Sequence, residues 1–441
     1  MSHLTSRRRF LKSTALTGVG VFVAGTAAVG DSKSPNERIR FACIGVGGKG
    51  RSDSADAKRH GDVVGICDVD EGTLAKAGDK SFPAAARYSD FRKMLDEAGK
   101  NVDAVTVSIP DHMHAAATAM AMRAGLACYT QKPLTRTIFE ARRLGEIARE
   151  TKVATQMGNQ GTAFPGLRKT VAALGAGVIG NVKEVHVWTD RPHWACGTPR
   201  PPQAPVPPGL DWDLWLGTAP ARPYAPGYHP HSWRGWWDFG SGALGDMACH
   251  TVNMPFMALD LRDPTAVQAT TSGHNRDSYP KWSVIQYDFP ANDKRPAVAM
   301  TWYDGGKLPD AGLFDGEPLS KSGVLVIGEK GKVFAKGDYC EFGYKLLGGA
   351  SDVPYEPQKI VYHFTEFANA VKGGPPATSN FTNYAGPLTE TILLGNLAVW
   401  AAPDAETPGK RIEWDAKNLK PTNAPEVAAV VTPSYSDGYT L

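Results

Sequence analysis

Three ionisable residues have the types that a proton-coupled reaction on an alcohol needs. Lys132 ends an apolar run and is followed by Pro133, whereas Asp246 and His250 are four residues apart. If the later segment is helical, Asp246 and His250 share one of its faces. A lysine ammonium can stabilise a developing alkoxide, a histidine can exchange a proton near neutral pH, and an aspartate can orient either. The sequence leaves open which of Lys132 and His250 accepts the proton, and a surface lysine with a helix-surface ion pair is the alternative.

A glycine-rich turn that follows an apolar run predicts a dinucleotide site. The motif places glycines at Gly45, Gly47, Gly48 and Gly50, and a second apolar run ends at Asp68. Such glycines permit a tight turn, a close backbone approach to a pyrophosphate and tight helix packing. Because a carboxylate at Asp68 accepts ribose hydroxyls and repels a 2′-phosphate, we expect NAD rather than NADP. A purely structural glycine turn is the alternative.

The first half of the chain alternates between strand-like and helix-like segments. This pattern predicts an α/β fold with a doubly wound parallel sheet, a Rossmann domain over residues 36–156. Ligands of such sheets bind beyond the carboxyl ends of the strands. Further polar residues follow predicted strands there, and we expect four of them at the cofactor: Pro110, His112, His114 and Asn159.

After residue 156 the predicted strands are longer and several alternate between apolar and polar residues. They cover residues 182–190, 266–272, 282–289, 297–303 and 323–335. This pattern favours an α+β domain with an open, mostly antiparallel sheet over residues 157–400. Residues 401–441 have little periodicity, and we expect them to form a C-terminal extension.

The chain resembles the Gfo/Idh/MocA family of oxidoreductases over most of its length. The resemblance is carried by the glycine turn, by Pro110-Asp111-His112-Met113-His114, by Lys132-Pro133 and by the segment from Gly245 to His250. It implies hydride chemistry on sugars, cyclitols or related polyols, with Lys132, Asp246 and His250 at the reacting carbon. It also implies a homo-oligomer. The family has Glu before the lysine where this chain has Gln131, a change that removes a negative partner and is expected to make Lys132 less basic.

Aromatic and polar residues of the second half are candidates for substrate binding. Tryptophans at 212, 215, 233, 236 and 237 can pack against the sheet or stack on a sugar ring. We expect Trp236 to stack and Arg234 to bond sugar hydroxyls. His186 and Trp188 alternate along one predicted strand, so they share a face that is expected to look onto the site.

The N-terminal segment predicts export. Residues 6–12 match a twin-arginine signal, and an uncharged, weakly apolar stretch follows to residue 30. We therefore expect a signal peptide over residues 1–30, a periplasmic or exported protein, and a cofactor that is held tightly rather than exchanged. A basic disordered N-terminus is the alternative.

Composition excludes several other classes of protein. A net charge of +3 without a basic stripe argues against nucleic-acid binding, and no segment of the mature chain could cross a membrane. His229 and His231 repeat the spacing of His112 and His114. Because no Asp, Glu or Cys set accompanies them, we expect no metal site and structural roles for His229 and His231.

Three functions compete on these grounds. The first is an exported NAD-dependent oxidoreductase that transfers hydride to or from a ring carbon of a sugar, glycoside or cyclitol. The second is an NAD-dependent glycoside hydrolase or lyase that acts through a transient keto-sugar. The third is a non-catalytic protein that binds NAD and a sugar.

Overall fold

The computed structural model describes residues 38–441 except residues 195, 357, 358 and 437, so the predicted export signal lies outside the described residues. The compact unit from Ile39 to Leu441 begins with a six-stranded sheet in the order β3-β2-β1-β4-β5-β6, and every pairing in it is parallel. Its strands are β1 Ile39–Ile44, β2 Gly61–Cys67, β3 Ala86–Tyr88, β4 Ala104–Val107, β5 Ala127–Thr130 and β6 Thr155–Met157.

Helices connect these strands, as the alternating pattern predicts for a Rossmann domain. They are α1 Gly48–His60, α2 Glu71–Lys80, α3 Phe91–Ala98, α4 Asp111–Arg123 and α5 Ile138–Thr151. Local sequence fixes several of their starts: the Asp70 carboxylate accepts from Thr73 N at 2.6 Å, and Thr137 with Glu140 forms a capping box. Strand β3 was not predicted, because its three residues are largely exposed and show no apolar run.

A nine-stranded sheet forms the second half, in the order β13-β12-β11-β7-β10-β9-β8-β14-β15. The pairing of β7 with β10 is parallel and the other pairings are antiparallel, so the predicted mostly antiparallel sheet is confirmed. The strands are β7 Val182–Trp188, β8 Ala266–Thr271, β9 Ser283–Phe289, β10 Val298–Tyr303, β11 Gly323–Gly328, β12 Lys332–Lys336, β13 Lys345–Leu347, β14 Ile412–Asp415 and β15 Lys420–Pro421.

The single long strand predicted over residues 323–335 is wrong, because the segment is a hairpin. Strands β11 and β12 pair antiparallel, with Val326 opposite Val333. The chain reverses through Gly331, whose φ of 145° is readily adopted only by glycine. Apolar residues on both sides of the turn give it the appearance of one continuous strand.

The remaining helices belong to the second half of the chain. They are α6 Pro165–Gly175, α7 Trp212–Leu216, α8 Gly242–Thr251, α9 Asn253–Leu259, α10 His363–Val371, α11 Gly386–Trp400 and α12 Ala428–Val431. Helix α11 is buried on nearly every face and contacts α5, α8 and β8. A helix that is apolar all round belongs in a core, and α11 thereby joins the two halves into one.

Two segments from the second half return to the first. Phe364 and Phe367 of α10 pack against Phe41 and Tyr129 in the core beneath the parallel sheet. Near the end of the chain, the Tyr435 hydroxyl donates to Glu140 at 2.5 Å. The extension over residues 401–441 therefore contributes two strands to the second sheet and then contacts the Rossmann half. Among the described residues, no helix combines the length and the apolar character needed to cross a membrane.

Candidate active site

The glycine turn has the close contacts that its residue types imply. A Cβ on Gly45, at φ 80°, would lie 2.3 Å from the Ser108 carbonyl oxygen, and one on Gly50 would lie 2.1 Å from the carbonyl of Gly45. Gly50 therefore sets the close approach of α1 to β1. Gly48, at φ 43°, faces open space, so a ligand can approach the backbone there. Helix α1 has no side-chain cap and no acidic residue in its first turn, which leaves its N–H groups available to an anion.

Asp68 stabilises the glycine turn through hydrogen bonds to the backbone. Its carboxylate accepts from the backbone N–H of Val46 at 3.0 Å and from that of Asp70 at 3.1 Å. Burial raises the pKa of Asp68 above its usual value, against these two hydrogen bonds. The open backbone at Gly48, the uncapped helix and this carboxylate together fit the pyrophosphate and ribose of a dinucleotide.

A buried polar network links the glycine turn to the strand that carries Lys132. Asp53 on α1 is fully buried, and its carboxylate receives Lys49 Nζ at 2.5 Å, Ser108 Oγ at 2.7 Å and Gln131 Nε2 at 2.8 Å. This network was not predicted from the sequence. An aspartate in the helix after the glycine turn was the available signal, but the sequence does not show which residues would bind its carboxylate.

Lys132 and Asp246 meet although 114 residues separate them. Lys132 Nζ lies 2.7 Å from Asp246 Oδ1 and 2.7 Å from the Asp246 backbone oxygen. Arg234 Nε donates to the same Oδ1 at 3.3 Å. Burial acts to raise the pKa of Asp246, but the charges of Lys132 and Arg234 outweigh it and lower that pKa to about 2. The carboxylate is therefore ionised and holds both cations in place.

His250 lies one helical turn from Asp246 on α8, as the spacing predicts. It is only 5% exposed, its ring centroid is 4.7 Å from that of Tyr339, and its Nδ1 has no hydrogen-bond partner among the described residues. Burial, followed by the charge of Lys132, lowers the pKa of His250 well below its usual value. The imidazole is therefore neutral at physiological pH and able to accept a proton.

A second carboxyl group, Asp111, belongs to this cluster and was not predicted. It begins helix α4, is 4% exposed, and accepts from Ser241 Oγ at 2.9 Å. Burial raises the pKa of Asp111 to about 7, against the opposing charges of Arg234 and Lys132. The position of Asp111 directly after a strand was the available signal, but the neighbouring residues His112 and His114 were predicted instead.

A cavity of about 500 Å³ contains these groups. It is lined at the glycine turn by Gly45, Gly47, Gly48 and Asp68, and at the ionisable cluster by Pro110, Asp111, Lys132, Asp246 and His250. Loops of the second half complete it with Arg191, Trp194, His229, His231, Trp233, Arg234 and Tyr339. One continuous space therefore connects a dinucleotide site to a charged cluster.

The other residues predicted for the cofactor have different placements. His114 lines the cavity, with its ring nitrogens 2.8 and 2.7 Å from the carbonyl oxygens of Pro133 and Ile109. His112 does not line it: the ring is buried between Trp215 and Phe239, and burial lowers its pKa to about 4. Asn159 is also fully buried outside the cavity lining, where its Oδ1 accepts from Ser379 at 2.6 Å. The predicted contacts of His112 and Asn159 with the cofactor are therefore not supported, because both side chains are buried within the protein core instead of lining the cavity.

Three of the four predicted substrate residues lie away from the cavity. Trp188 is fully buried against Phe314 and Phe334, and its indole N–H donates to the Ser320 carbonyl at 2.9 Å. His186, on the same face of β7, contacts Glu184 and Tyr303.

Trp236 packs on Tyr228 within an aromatic cluster, whereas Arg234 lines the cavity as expected. The face shared by His186 and Trp188 was predicted correctly, but that face packs against a loop instead of the site.

His229 and His231 line the cavity, and their rings also pack on Trp215 and Trp194. Among the residues that the structure describes, no group of three or more His, Cys, Asp or Glu side chains is arranged as a metal site.

The parallel sheet with its glycine turn and the adjoining cavity are features of the dinucleotide-dependent oxidoreductase class. Two family models match the chain: the NAD-binding Rossmann fold of the Gfo/Idh/MocA oxidoreductase family over residues 39–159, and its C-terminal α/β domain over residues 161–374. The chain belongs to the Gfo/Idh/MocA oxidoreductase family.

Curated relatives match over part of their length. A glycosyl hydrolase family 109 protein of Solibacter usitatus is 32% identical over 153 residues, which are 31% of this chain and 34% of that protein. Inositol 2-dehydrogenase 1 of Saccharopolyspora erythraea is 32% identical over 130 residues, which are 28% of this chain and 36% of that enzyme. The chain thus spans about a third of the length of each of these two relatives.

Solved structures share the fold over nearly their whole length. The WlbA dehydrogenase of Bordetella pertussis, in complex with NADH and UDP-GlcNAcA, has a TM-score of 0.59 at 18% identity, with 84% of this chain and 98% of that chain covered. The aldose-aldose oxidoreductase of Caulobacter crescentus has a TM-score of 0.58 at 16% identity, with 85% and 99% covered. At these identities the likeness is one of fold.

Proposed function

We propose that this protein is an NAD-dependent oxidoreductase that transfers hydride to or from a hydroxyl-bearing ring carbon of a sugar, glycoside or cyclitol. One observation carries the proposal. A single cavity is lined by the glycine turn, by Asp68 and by the cluster of Lys132, Asp246 and His250. The dehydrogenases that share the fold support it, including one solved with NADH and a nucleotide sugar.

The residues of the cluster divide the work on the alcohol. When bound, the nicotinamide supplies the hydride-accepting carbon. Lys132 donates a hydrogen bond to the reacting oxygen and stabilises negative charge on it, while Asp246 fixes the ammonium through their 2.7 Å contact. His250, whose imidazole is neutral because burial lowers its pKa, accepts the hydroxyl proton.

The surroundings of Asp68 favour NAD over NADP. No lysine or arginine occurs among the described cavity-lining residues between Cys67 and Phe91. A 2′-phosphate there would meet the Asp68 carboxylate without a compensating cation. Dissociation constants for the two dinucleotides test this, and tighter binding of NADP would refute it.

Export by the twin-arginine route is part of the proposal. The supporting observation is the match at residues 6–12, which lie outside the described residues. A fusion of residues 1–30 to a reporter, with Arg7 and Arg8 changed to Lys in a matched control, tests it by cell fractionation. Assembly into a homo-oligomer stays a prediction that sedimentation of the purified protein can check.

The activity itself is tested with purified protein. We expect bound dinucleotide to be released on denaturation and identified by mass spectrometry, and we expect a keto-sugar product from at least one pyranoside. A protein that releases no dinucleotide and binds none when it is added would contradict the proposal.

A redox-neutral glycoside cleavage is the second candidate, and two observations favour it. A relative named as a glycosyl hydrolase matches part of the chain, and Asp111 supplies a further acid or base beside Lys132. In this reaction a ring hydroxyl is oxidised to a ketone, the neighbouring carbon loses its proton to a base, and the leaving group departs as the alcohol. Water then adds to the resulting double bond, and the hydride is returned to the ketone. Aryl glycosides without added NAD separate the two functions: released phenol without net keto-sugar favours cleavage, and a keto-sugar favours oxidation.

A further inference from the structure

Arg191 is a cation of the cavity whose buried Nε has no hydrogen-bond partner among the described residues. It follows strand β7, and its side chain lines the cavity. Its Nε is buried without a hydrogen-bond acceptor, and no ion pair found among the described residues includes its guanidinium. The neighbouring Asp338 carboxylate instead accepts from Thr189 Oγ1 at 2.9 Å. A buried donor without an acceptor is costly, so this arginine is suited to a bound anion.

The electrostatic contacts of Arg191 place it near the reacting groups. Burial raises the pKa of Tyr339, and the positive charges of Lys132 and Arg191 both oppose that rise. Burial lowers the pKa of His231, with the charges of Arg234 and Arg191 acting in the same direction. Arg191 is therefore within electrostatic range of two cavity residues that also experience the cations of the cluster.

Arg191 differs from the other two cations that line the cavity near the reacting groups. Lys132 and Arg234 both contact the Asp246 carboxylate. Among the described residues no ion pair includes Arg191, although the Asp338 carboxylate lies within its electrostatic range. An anion in this space gains both attraction and a hydrogen-bond donor.

We propose that the substrate is an acidic sugar whose carboxylate is bound by Arg191. This inference rests on the proposed function and names the substrate class of the same site. The guanidinium presents parallel N–H groups that match the two oxygens of a carboxylate. Trp194 and Trp233 line the same space and offer aromatic faces to the sugar ring. The ring hydroxyls are thereby directed toward Lys132 and His250.

Matched sugar pairs test the proposal. The full chain with its dinucleotide is mixed with the methyl pyranosides of glucose, galactose and mannose. The same measurement is made with the methyl glycosides of the corresponding uronic acids, here called uronides, and with the corresponding 6-phosphates. Binding is followed by tryptophan fluorescence, and oxidation by nicotinamide absorbance. We expect at least one uronide to bind about tenfold more tightly than its neutral counterpart. The preference should disappear in Arg191→Met and persist in Arg200→Met, whose arginine pairs with Asp277 at 2.5 Å outside the cavity lining.

Several results would overturn the inference. The inference fails if no uronide binds more tightly than its neutral counterpart, or if the preference survives in Arg191→Met. It also fails if the 6-phosphates bind more tightly than the uronides. The proposed function fails separately, if Lys132→Met oxidises the sugars as fast as the unchanged protein. Neutral sugars that are oxidised in a Lys132-dependent reaction without any charge preference would retain the function and refute the acidic substrate.

Discussion

The side-chain amide of Gln131 donates a 2.8 Å hydrogen bond to Oδ2 of Asp53, and both side chains are almost completely buried. The resemblance to the family implies glutamate at the position that corresponds to Gln131. In this chain the buried carboxylate is that of Asp53 on α1, and the amide of Gln131 at the end of β5 donates to it. Lys132, the next residue, finds its negative partner at Asp246.

Gln131→Glu should therefore destabilise the protein. The change puts a second carboxylate against Asp53 in a buried site and removes a hydrogen-bond donor. We expect the free energy of unfolding to fall by about 1–3 kcal/mol, measured by urea denaturation. The double variant Gln131→Glu, Asp53→Asn exchanges donor and acceptor and should recover part of the loss. Equal stability of the single variant and the unchanged protein would refute this account.

Loss of either partner of the Lys132 and Asp246 pair should abolish most activity. We expect Lys132→Met and Asp246→Asn each to lower kcat about 10²- to 10⁴-fold, because the reacting oxygen loses its positioned cation. The double variant should lose little more than either single variant, since the two residues act as one unit. Steady-state kinetics and mass spectrometry of retained dinucleotide are the measurements. Lys336→Met is the matched control, because it breaks the ion pair between Lys336 on β12 and Glu317. We expect kcat to be unchanged in this variant.

Gly50→Ala should weaken dinucleotide binding and stability together. The added Cβ would meet the Gly45 carbonyl at 2.1 Å, so either the glycine turn or the start of α1 must move. We expect a loss of about 1–3 kcal/mol of unfolding free energy and less copurified dinucleotide. Gly99→Ala, where a Cβ would have no neighbour within 4 Å, should leave both quantities near their original values. Full dinucleotide occupancy in Gly50→Ala would contradict the prediction.

Buried neutral histidines should make the fold sensitive to acid. Burial lowers the pKa of His363 to about 4 from its usual 6.5. Below the higher value the unfolded chain binds a proton that the folded protein does not, so stability falls as the pH decreases from 6.5 toward 4. Between pH 6.5 and 5 the unchanged protein should lose roughly 2 kcal/mol more than His363→Gln.

Urea denaturation at the two pH values measures this loss. His193→Gln, which alters an exposed histidine near Asp190, is the matched control variant. An identical pH dependence in His363→Gln would show that His363 is protonated in the folded protein as readily as in the unfolded chain.

Two neighbouring tryptophans should differ in their effects. Trp233 lines the cavity and stacks under Arg234, with the guanidinium carbon 4.2 Å from the ring centroid, whereas Trp236 packs on Tyr228. Trp233→Phe should raise KM about 2- to 10-fold through lost ring contact. Trp236→Phe should lower the thermal midpoint and leave KM unchanged. The reverse pattern would return Trp236 to the substrate site.

Local sequence was sufficient to predict the frame of the site. The glycine turn, the strand that ends at Asp68 and the strand that precedes Lys132 could all be read from apolar runs and from residues that favour turns, because such signals act over a few residues. The four-residue spacing likewise put Asp246 and His250 on one face of α8. Of the four predicted substrate residues, Arg234 is the only one that lines the cavity. The alternation of side chains along β7 predicts which residues share a face, but it does not predict what packs against that face.

The sequence by itself therefore indicated the alternating strands and helices of the first half, the glycine turn and the residue types of the candidate site. Only the tertiary structure decided that Trp188 is enclosed by Phe314 and Phe334 and that Asp53 meets Gln131. It also decided that the buried Nε of Arg191 has no hydrogen-bond partner among the described residues. Such contacts join residues tens to hundreds of positions apart. Their energy depends on which surfaces pack together and exclude water, and the spacing of neighbouring residues carries no record of that.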